Sequence, residues 1–427
     1  MSRAILWFRN DQRLNDNAAL HAACKAHEEV LPVLIIDPRQ HSASPWGFAR
    51  TGSFRERFMR EGLEDLNAQL HAKGSALHVE VGEPARSIER LCAEWKVTGV
   101  HAQRQFAWEE REQQREVEAV CDLHLHAPNT LILPEDLPFT LDKLPRVFTA
   151  FRHNVEKGSP VRSLLPEPER IAAPEGWRGR PLSEWEWPVP SIVEDARAVL
   201  RFTGGRTAAL ARLRHYLWDT KALSHYKETR NGLLGADYSS KLSPWLASGA
   251  ISAREVWNEV KRYEAEHGAN ESTYWLGFEL LWRDFFQFTG AKHGRDLFLS
   301  QGIARRPSSQ DQDKGRFAAW CQGRTGQPFI DANMRELAAT GWMSNRGRQN
   351  VDSYLVHDLG LDWRMGAYWF ERMLIDYDPC SNWGNWQYLA GVGNDAREGR
   401  RFDPVRQAST YDAEGAFVKL WEAGAVE

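Results

Sequence analysis

Residues 376–386 combine side chain types that are suited to cofactor chemistry. The segment holds two acids, two amides and two tryptophans in eleven positions. Asp376 and Asp378 need cationic partners if they are buried, and Arg348 is the obvious candidate. An amide such as Asn382, placed beside a redox-active ring, can hydrogen-bond a ring nitrogen and set its protonation state. The alternative interpretation of this segment is a polar loop.

A second polar face is predicted on the helix that opens at residue 345. Asn345, Arg348, Gln349 and Asp352 fall on one side of it, and a helix of the hydrophobic core would not be patterned in that way. We therefore expect this face to line a polar site.

A strongly apolar helix at residues 272–289 carries charged residues, among them Glu279 and Arg283. Glu279 and Arg283 are one turn apart and are flanked by aromatic side chains on nearly all sides. One interpretation is an ordinary pair with a spacing of four residues, which surface helices carry routinely. We favour the other interpretation, in which both charges face a cavity.

In the segment 238–245, three hydroxyls and a lysine stand just before the start of another predicted helix. Ser243 is a natural N-cap there, because Pro244 can occupy the first helical position. Backbone N–H groups, hydroxyls and a positive helix end together suit a phosphate or pyrophosphate. Taken alone, the segment is better explained by an ordinary capped helix start.

The elements that must position these residues fall into two domains. Over residues 1–130, apolar runs alternate with helical stretches, a rhythm that predicts a parallel sheet covered by helices. The predicted strands are residues 4–8, 30–36, 76–81, 97–101 and 123–126, and the predicted helices between them are 17–27, 52–71, 83–95 and 108–120. Neither G-x-G-x-x-G after the first strand nor G-x-x-x-x-G-K-[ST] is present, which argues against a nicotinamide dehydrogenase and a P-loop NTPase.

A proline-rich connector at residues 131–205 leads into an all-α domain at residues 206–427. The predicted helices are residues 146–157 in the connector and then 208–219, 243–248, 253–267, 272–289, 332–340, 345–359 and 363–375. Fifteen of the nineteen tryptophans lie beyond residue 150, which indicates either helix packing, the interpretation we favour, or an aromatic cofactor environment.

The composition of the 427 residues narrows the class of protein. Hydrophobic residues make up 42% and mean hydropathy is −0.55, without an apolar run of 18 residues, so we expect a globular protein outside the membrane. The net charge of −4 means that any nucleic-acid contact must come from a local basic patch. Five scattered cysteines without a metal-ligand spacing, and no export signal, predict reduced thiols in the cytoplasm and no metal site.

Several long motifs resemble those of the photolyase/cryptochrome flavoproteins, and most closely those of the DASH cryptochromes. They are GWMSNRGRQN at 341–350, DYDPCSNWGNWQ at 376–387, GVGNDARE at 391–398, FIDANMREL at 329–337 and VFTAFRHNVE at 147–156. The resemblance covers nearly the whole chain. It implies a Rossmann-like α/β antenna domain, a long linker and a helical domain that holds FAD.

The resemblance also implies roles for individual residues. The residues that correspond to FAD contacts are Tyr226, Ser239, Ser240, Lys241, Leu242, Ser243, Arg283, Asn345, Arg348, Asp376 and Asp378, with Asn382 facing the flavin N5. Glu279 and Trp282 correspond to one wall of the cavity for a flipped pyrimidine dimer, with Tyr388 and Gln349 opposite. Glu109, together with Gln105, corresponds to contacts of a folate antenna, 5,10-methenyltetrahydrofolate.

Electron transfer to the flavin in this family uses three tryptophans, and Trp386 and Trp363 match the inner two. Gln310 stands where the outermost one is expected, so we consider Trp320 or another aromatic residue as a substitute. Arg346, Arg400 and Arg401 are predicted contacts to DNA phosphates.

The implied function is repair of cyclobutane pyrimidine dimers driven by blue light. Tyr388 and Gln349, typical of the DASH branch, favour dimers in single-stranded or looped DNA, and a monomer is expected. The alternative is a photoreceptor that binds DNA or a protein and signals through the redox state of the flavin without turnover.

Overall fold

The N-terminal part of the chain is a five-stranded parallel sheet. The structure, a computed structural model, describes residues 2–180, 184, 192–395 and 400–422. The strands are β1 (Arg3–Phe8), β2 (Glu29–Ile36), β3 (His78–Val81), β4 (Gly99–Gln103) and β5 (Leu123–His126), in the spatial order β3-β2-β1-β4-β5. The helices between them are α1 (Ala18–Ala26), α2 (Ser53–Ala72), α3 (Pro84–Trp95) and α4 (Trp108–Glu118).

Helices cover both faces of this sheet. Ala4, Leu6 and Phe8 pack into one apolar cluster with residues of α1 and α2. Ile5 and Trp7 pack into another with residues of α3 and α4. Successive side chains of a strand point to opposite faces, so one short apolar strand serves two cores. The predicted α/β sheet is confirmed, although β4 begins two residues later than expected, after Lys96 ends α3 in a left-handed conformation.

The remainder of the described chain is helical, as predicted. One helix, α5 (Phe148–Gly158), lies in the connector. The others are α6 (Arg206–Arg214), α7 (Tyr226–Thr229), α8 (Ser243–Ser248), α9 (Ala253–His267), α10 (Glu271–His293), α11 (Lys314–Cys321), α12 (Pro328–Thr340), α13 (Asn345–Ser353), α14 (Trp363–Met373), α15 (Pro379–Leu389), α16 (Pro404–Tyr411) and α17 (Ala416–Leu420). The division at residues 130 and 205 stays a proposal, which is supported by the end of β5 and the start of α6. Part of the connector, residues 181–183 and 185–191, lies outside the described residues.

A buried ion pair fixes the sheet to the helical region. The Asp16 carboxylate accepts hydrogen bonds from Arg254, at 2.7 Å, and from the Ser252 hydroxyl, at 2.6 Å. Asp16 is fully buried and Arg254 nearly so. Removal of one partner would strand a buried charge, so this contact strongly constrains how the two parts meet.

Four histidines cluster where β4 and β5 meet the end of α1. His101 Nδ1 lies 2.9 Å from His126 Nε2, and His101 Nε2 lies 3.2 Å from His27 Nε2. The ring of His124 packs 5.0 Å from that of His101. A neutral imidazole has one donor and one acceptor nitrogen, which is what these two contacts require of His101. Burial, together with the neighbouring histidines, lowers the pKa of His101 to about 4.

We expect this cluster to make the fold sensitive to acid. The charged form of His101 is disfavoured in the folded state. The stability that the fold has with a neutral His101 is therefore fully present above the pKa of the unfolded chain, near 6.5, and is lost as the pH falls toward 4. The loss should be roughly 2–3 kcal/mol of unfolding free energy. Urea unfolding at pH 7.5 and pH 5 measures it. His101→Leu, which cannot titrate, should show a smaller difference between the two pH values, and an unchanged difference would contradict the assignment.

Candidate functional site

The predicted site residues surround two adjoining cavities in the helical region. The larger has a volume of about 690 Å³ and the smaller about 260 Å³. Residues that line both are Arg230, Glu279, Arg283, Asn345, Arg348, Asp376, Asp378 and Ser381. Because one set of side chains forms both walls, the two cavities make a single elongated site.

One face of α13 forms part of the wall of the larger cavity. Asn345, Arg348, Gln349 and Asp352 all line it, which confirms the face predicted from their spacing. The helix is fixed at its start, because the Ser344 hydroxyl accepts a hydrogen bond from the Gly347 backbone N–H. The polar face of α13 is therefore turned toward a cavity.

Arg348 and Asp376 form the ion pair expected from sequence. Arg348 Nη2 donates to both carboxylate oxygens of Asp376, at 2.9 and 3.0 Å. The Ser243 hydroxyl donates to the same carboxylate, at 2.6 Å. Ser243 is therefore not the N-cap: α8 begins at Ser243 itself, after Leu242. Its hydroxyl serves as a donor to the buried carboxylate, whereas an N-cap hydroxyl would accept from the first backbone N–H groups of the helix.

The segment around Lys241 lines the smaller cavity, as do Tyr226, Ser239, Ser240, Leu242 and Ser243. Lys241 itself has a left-handed backbone, with φ of +54°. Its ammonium donates to the carbonyl oxygens of Gly235 and Ala236, and burial lowers its pKa to about 6. These contacts commit the ammonium to main-chain carbonyls, so any phosphate held here would rely on backbone N–H groups and hydroxyls.

The segment after Asp376 is mostly helical, which corrects the alternative of a polar loop. Asp378 is the N-cap of α15 and accepts from the Ser381 backbone N–H, and Pro379 occupies the first helical position. An acid followed directly by proline is a helix-start signal that could have revealed α15. The side chain of Asp378 also accepts from Gln287, at 2.6 Å.

Asn382 projects from α15 into the larger cavity with a defined orientation. Its amide nitrogen donates to the carbonyl oxygen of Ala367 on α14, at 3.0 Å. With the nitrogen engaged, the amide oxygen is the group that it can offer to a ligand, as an acceptor. An N–H on a ligand would complement it.

Glu279 and Arg283 face the site and do not pair with each other. Glu279 forms its ion pair with Arg230, while Arg283 donates to the carbonyl oxygens of Asn129 and Leu246. The cavity-facing interpretation is therefore right. Desolvation raises the pKa of Glu279, although the Arg230 guanidinium opposes this. Sequence reasoning missed Arg230, since a partner 49 residues away leaves no local signal.

Aromatic rings line the open side of the larger cavity. Trp282 stacks on Phe148, with ring centroids 3.8 Å apart, and meets the ring of Tyr388 at 6.1 Å. Gln349 accepts a hydrogen bond from Arg346 at 2.9 Å. Trp282, Tyr388 and Gln349 thus share one cavity, and its walls present flat apolar faces together with an amide.

The tryptophans assigned to electron transfer are fully buried but have different neighbours. Trp386 packs against Trp320, with ring centroids 6.3 Å apart, and lines the larger cavity. Trp363 packs against Trp383, at 5.6 Å. Gln310 is exposed, and its amide oxygen accepts from Arg364. Core packing, the favoured interpretation of the tryptophan excess, accounts for Trp363 and Trp386, and Trp386 in addition lines the cavity.

Unpartnered polar atoms in the cavity wall indicate that the site takes a polar ligand. Trp386 Nε1, Asp352 Oδ1 and Asn394 Oδ1 are buried, line the larger cavity and lack a hydrogen-bond partner. Buried polar groups in native proteins nearly always have partners. FAD fits this site, since it combines flat rings with a polar chain and phosphates. Tyr226, Ser239–Ser243, Arg283, Asn345, Arg348, Asp376, Asp378 and Asn382 would hold it.

The predicted antenna and DNA contacts all have protein partners. Glu109 pairs with Arg50, at 2.6 Å, and Gln105 borders a small cavity beside Asp378. The three arginines predicted to contact DNA phosphates already bind protein groups. Arg346 donates to Asn231 and Gln349, Arg400 donates to Asp395, and Arg401 donates to Asp358. Folate or DNA at these positions would have to share or replace those contacts.

Within the described ranges, no helix is both long and apolar enough to span a bilayer. In the same ranges, no group of three or more histidine, cysteine or acidic side chains is arranged to hold a metal ion.

Comparison with known proteins gives matches over almost the entire chain. Residues 4–172 match the family described as DNA photolyase, and residues 275–423 match the FAD binding domain of DNA photolyase. A cryptochrome DASH of Gloeobacter violaceus is 46% identical over 424 residues, which cover 98% of this chain and 85% of that protein.

Two solved structures have the same fold. A Synechocystis sp. PCC6803 cryptochrome superposes with a TM-score of 0.94 at 44% identity, over 99% of this chain and 88% of the other. A class III photolyase from Agrobacterium tumefaciens gives a TM-score of 0.84 at 29% identity, over 99% and 86%.

Proposed function

Because the chain belongs to the photolyase/cryptochrome family, in its cryptochrome DASH branch, we propose that it repairs cyclobutane pyrimidine dimers under blue light, preferably in single-stranded or looped DNA. The observation that carries this proposal is the joined site. A cavity with aromatic walls, formed by Trp282 and Tyr388, adjoins the residues suited to FAD, so two linked pyrimidines from one strand could reach the cofactor.

The residues of the chain would orient the cofactor and control protons at its ring. FAD, when bound and reduced, supplies the photoexcited electron that splits the dimer. Arg348, fixed by Asp376, would supply a positive charge to the bound cofactor, and the Asn382 oxygen would be available to accept a hydrogen bond from it. Glu279, whose pKa is raised, can donate a hydrogen bond to a pyrimidine carbonyl while it is protonated.

The preference for single strands rests on the cost of extruding the dimer. Taking nucleotides out of a duplex costs a few kcal/mol, and least where the bases are already unpaired. Gln349 contributes an amide to this wall and is held by Arg346. A wall of this polarity gains less from stacking than an entirely apolar one, so less energy is available to repay extrusion.

The test is light-driven repair by chemically reduced protein. A thymine-dimer oligonucleotide is illuminated with the protein, as a single strand and as a duplex, and restored thymines are counted, with dark samples as the control. The proposal expects several turnovers on the single strand and fewer on the duplex. Binding without turnover on either substrate would instead support a photoreceptor that signals through its redox state.

We expect Asn382→Asp to destabilise the anionic reduced flavin. A carboxylate at this position brings a like charge to the ring or retains a proton there, and either change disfavours the anion. Absorption spectra under blue light with an electron donor measure this. Asn270→Asp, at the exposed N-cap of α10 and outside both cavities, is the matched control, because aspartate caps a helix as well as asparagine does. A mutant that holds the anion as well as the wild type would exclude Asn382 from the N5 position.

We also propose a folate antenna near Glu109 and action as a monomer in the cytoplasm. All five cysteines are free thiols, which suits a reducing compartment.

Pigment extracted from purified protein should fluoresce as a reduced folate, and Glu109→Gln should lower its content without loss of FAD. Equal folate content in this variant would remove Glu109 from the antenna site.

A further inference from the structure

A series of oxidisable rings connects Trp386 with the protein surface. Trp383 precedes Trp386 by three residues on α15, a spacing that places the Cβ atoms about 5–6 Å apart. The Trp383 ring centroid lies 5.0 Å from that of Tyr368 on α14, and the Tyr368 centroid lies 5.4 Å from that of Trp46. Trp383 is fully buried, whereas Tyr368 and Trp46 are partly exposed.

The competing route from Trp386 passes through a ring that is hard to oxidise. Trp320 is close to Trp386 but fully buried, so it cannot exchange electrons with solvent directly. On its other side lies Phe317, with ring centroids 5.9 Å apart. A phenyl ring lacks the electron-donating nitrogen or oxygen of Trp and Tyr. Gln310 contributes no redox-active group on that side.

The surroundings of Tyr368 suit a tyrosine that gives up an electron and a proton together. Glu371 follows it by one helical turn and interacts with it electrostatically. One carboxylate oxygen of Glu371 bonds to Arg50, and the other is buried without a partner. Burial raises the pKa of Glu371, which makes its carboxylate a stronger proton acceptor.

A second tyrosine beside Trp383 is less suited to this role. The Tyr377 hydroxyl accepts a hydrogen bond from Trp383 Nε1, at 3.3 Å. The Arg55 guanidinium lies 4.8 Å from the centroid of the Tyr377 ring. A fixed positive charge over a ring opposes the loss of an electron from it. Arg50 lies 5.9 Å from the centroid of the Tyr368 ring, but its charge is offset by ion pairs with Glu109 and Glu371. Arg55 instead donates to neutral oxygens, the Glu371 carbonyl and the Thr51 hydroxyl.

We propose that Tyr368, acting through Trp383, is the terminal electron donor for photoreduction in this chain. One electron would leave Trp386 for the photoexcited cofactor, and one electron from the packed pair of Trp363 and Trp383, whose ring centroids lie 5.6 Å apart, would refill Trp386. Tyr368 then refills Trp383 and releases its phenolic proton to Glu371. A thiol in solution returns one hydrogen atom to the Tyr368 oxygen and is itself oxidised to a thiyl radical, while Glu371 passes its proton to water. The inference rests on the flavin photochemistry of the proposed function, not on dimer repair.

The test uses the FAD-bound oxidised protein, illuminated without DNA, with electron paramagnetic resonance as the readout. The wild type should give a tyrosyl signal, and ring-deuterated tyrosine should narrow it. Tyr368→Phe and Trp383→Phe should lose the signal, whereas Tyr377→Phe, which removes the other tyrosine beside Trp383, should retain it. Incorporation of 3-fluorotyrosine at position 368 should shift the spectrum without removing the ring.

A tryptophanyl signal alone in the wild type, or a tyrosyl signal that survives in Tyr368→Phe, would overturn the proposal. If Trp320→Phe lost photoreduction and Trp383→Phe retained it, the proposal would be overturned in favour of the route through Phe317. Repair by chemically reduced Tyr368→Phe should equal that of the wild type. Absence of repair in both would count against the proposed function and leave the tyrosyl result standing.

Discussion

Trp386→Phe should abolish photoreduction of bound oxidised FAD while leaving repair by chemically reduced protein intact. Reduction would draw on the buried tryptophan, whereas the proposed repair would pass an electron directly from cofactor to dimer. Trp386 is fully buried between Trp320 and Phe370, and its indole nitrogen has no partner. Phenylalanine therefore loses no hydrogen bond and retains most of the packing, at a cost of roughly 1–2 kcal/mol of unfolding free energy.

Transient absorption after a laser pulse follows the yield of reduced cofactor, and the repair assay is run on protein reduced with dithionite. Trp421→Phe is the matched control, because Trp421 is also fully buried with an unpartnered indole nitrogen. It should photoreduce as the wild type does. A normal yield in Trp386→Phe would disprove the assignment of the inner electron donor, and loss of repair in the pre-reduced variant would show that the two electron paths are not separate.

Arg348→Leu should cause loss of both FAD and stability. The substitution leaves Asp376, which is only 8% exposed, with the Ser243 hydroxyl but without its cation. Breaking a buried ion pair in this way costs about 3–5 kcal/mol. The guanidinium also donates to the Met343 carbonyl oxygen. Arg348→Lys keeps the charge but not both contacts, so its stability and FAD content should lie between those of the wild type and Arg348→Leu.

Urea unfolding and FAD absorbance after gel filtration measure the two effects. Arg348→Leu combined with Asp376→Asn is the informative control, since it removes the stranded charge and should recover part of the stability but not the FAD. Retention of FAD and an unchanged unfolding midpoint in Arg348→Leu would show that the ion pair neither shapes the site nor supports the fold.

The local periodicity of the sequence determined which faces of the strands and helices are buried and which face of α13 lines a cavity. Alternating apolar residues in β1 meet two cores in the structure, and the polar face at Asn345, Arg348, Gln349 and Asp352 does line a cavity. Both patterns depend on residues a few positions apart, whose relative directions are fixed as soon as a strand or helix forms. The pairing of Arg348 with Asp376 was also predictable, because a buried acid needs a cation and few were available nearby.

Tertiary structure alone decided which distant groups complete the site. Glu279 pairs with Arg230 instead of Arg283, the Lys241 ammonium is held by main-chain carbonyls, and Trp320 packs on Trp386. The physical reason is that a buried polar group without a partner is costly, and in a packed core the available partner is set by proximity in space. Sequence spacing carries the direction of a side chain along its own element, but not the identity of the neighbour that another element brings against it.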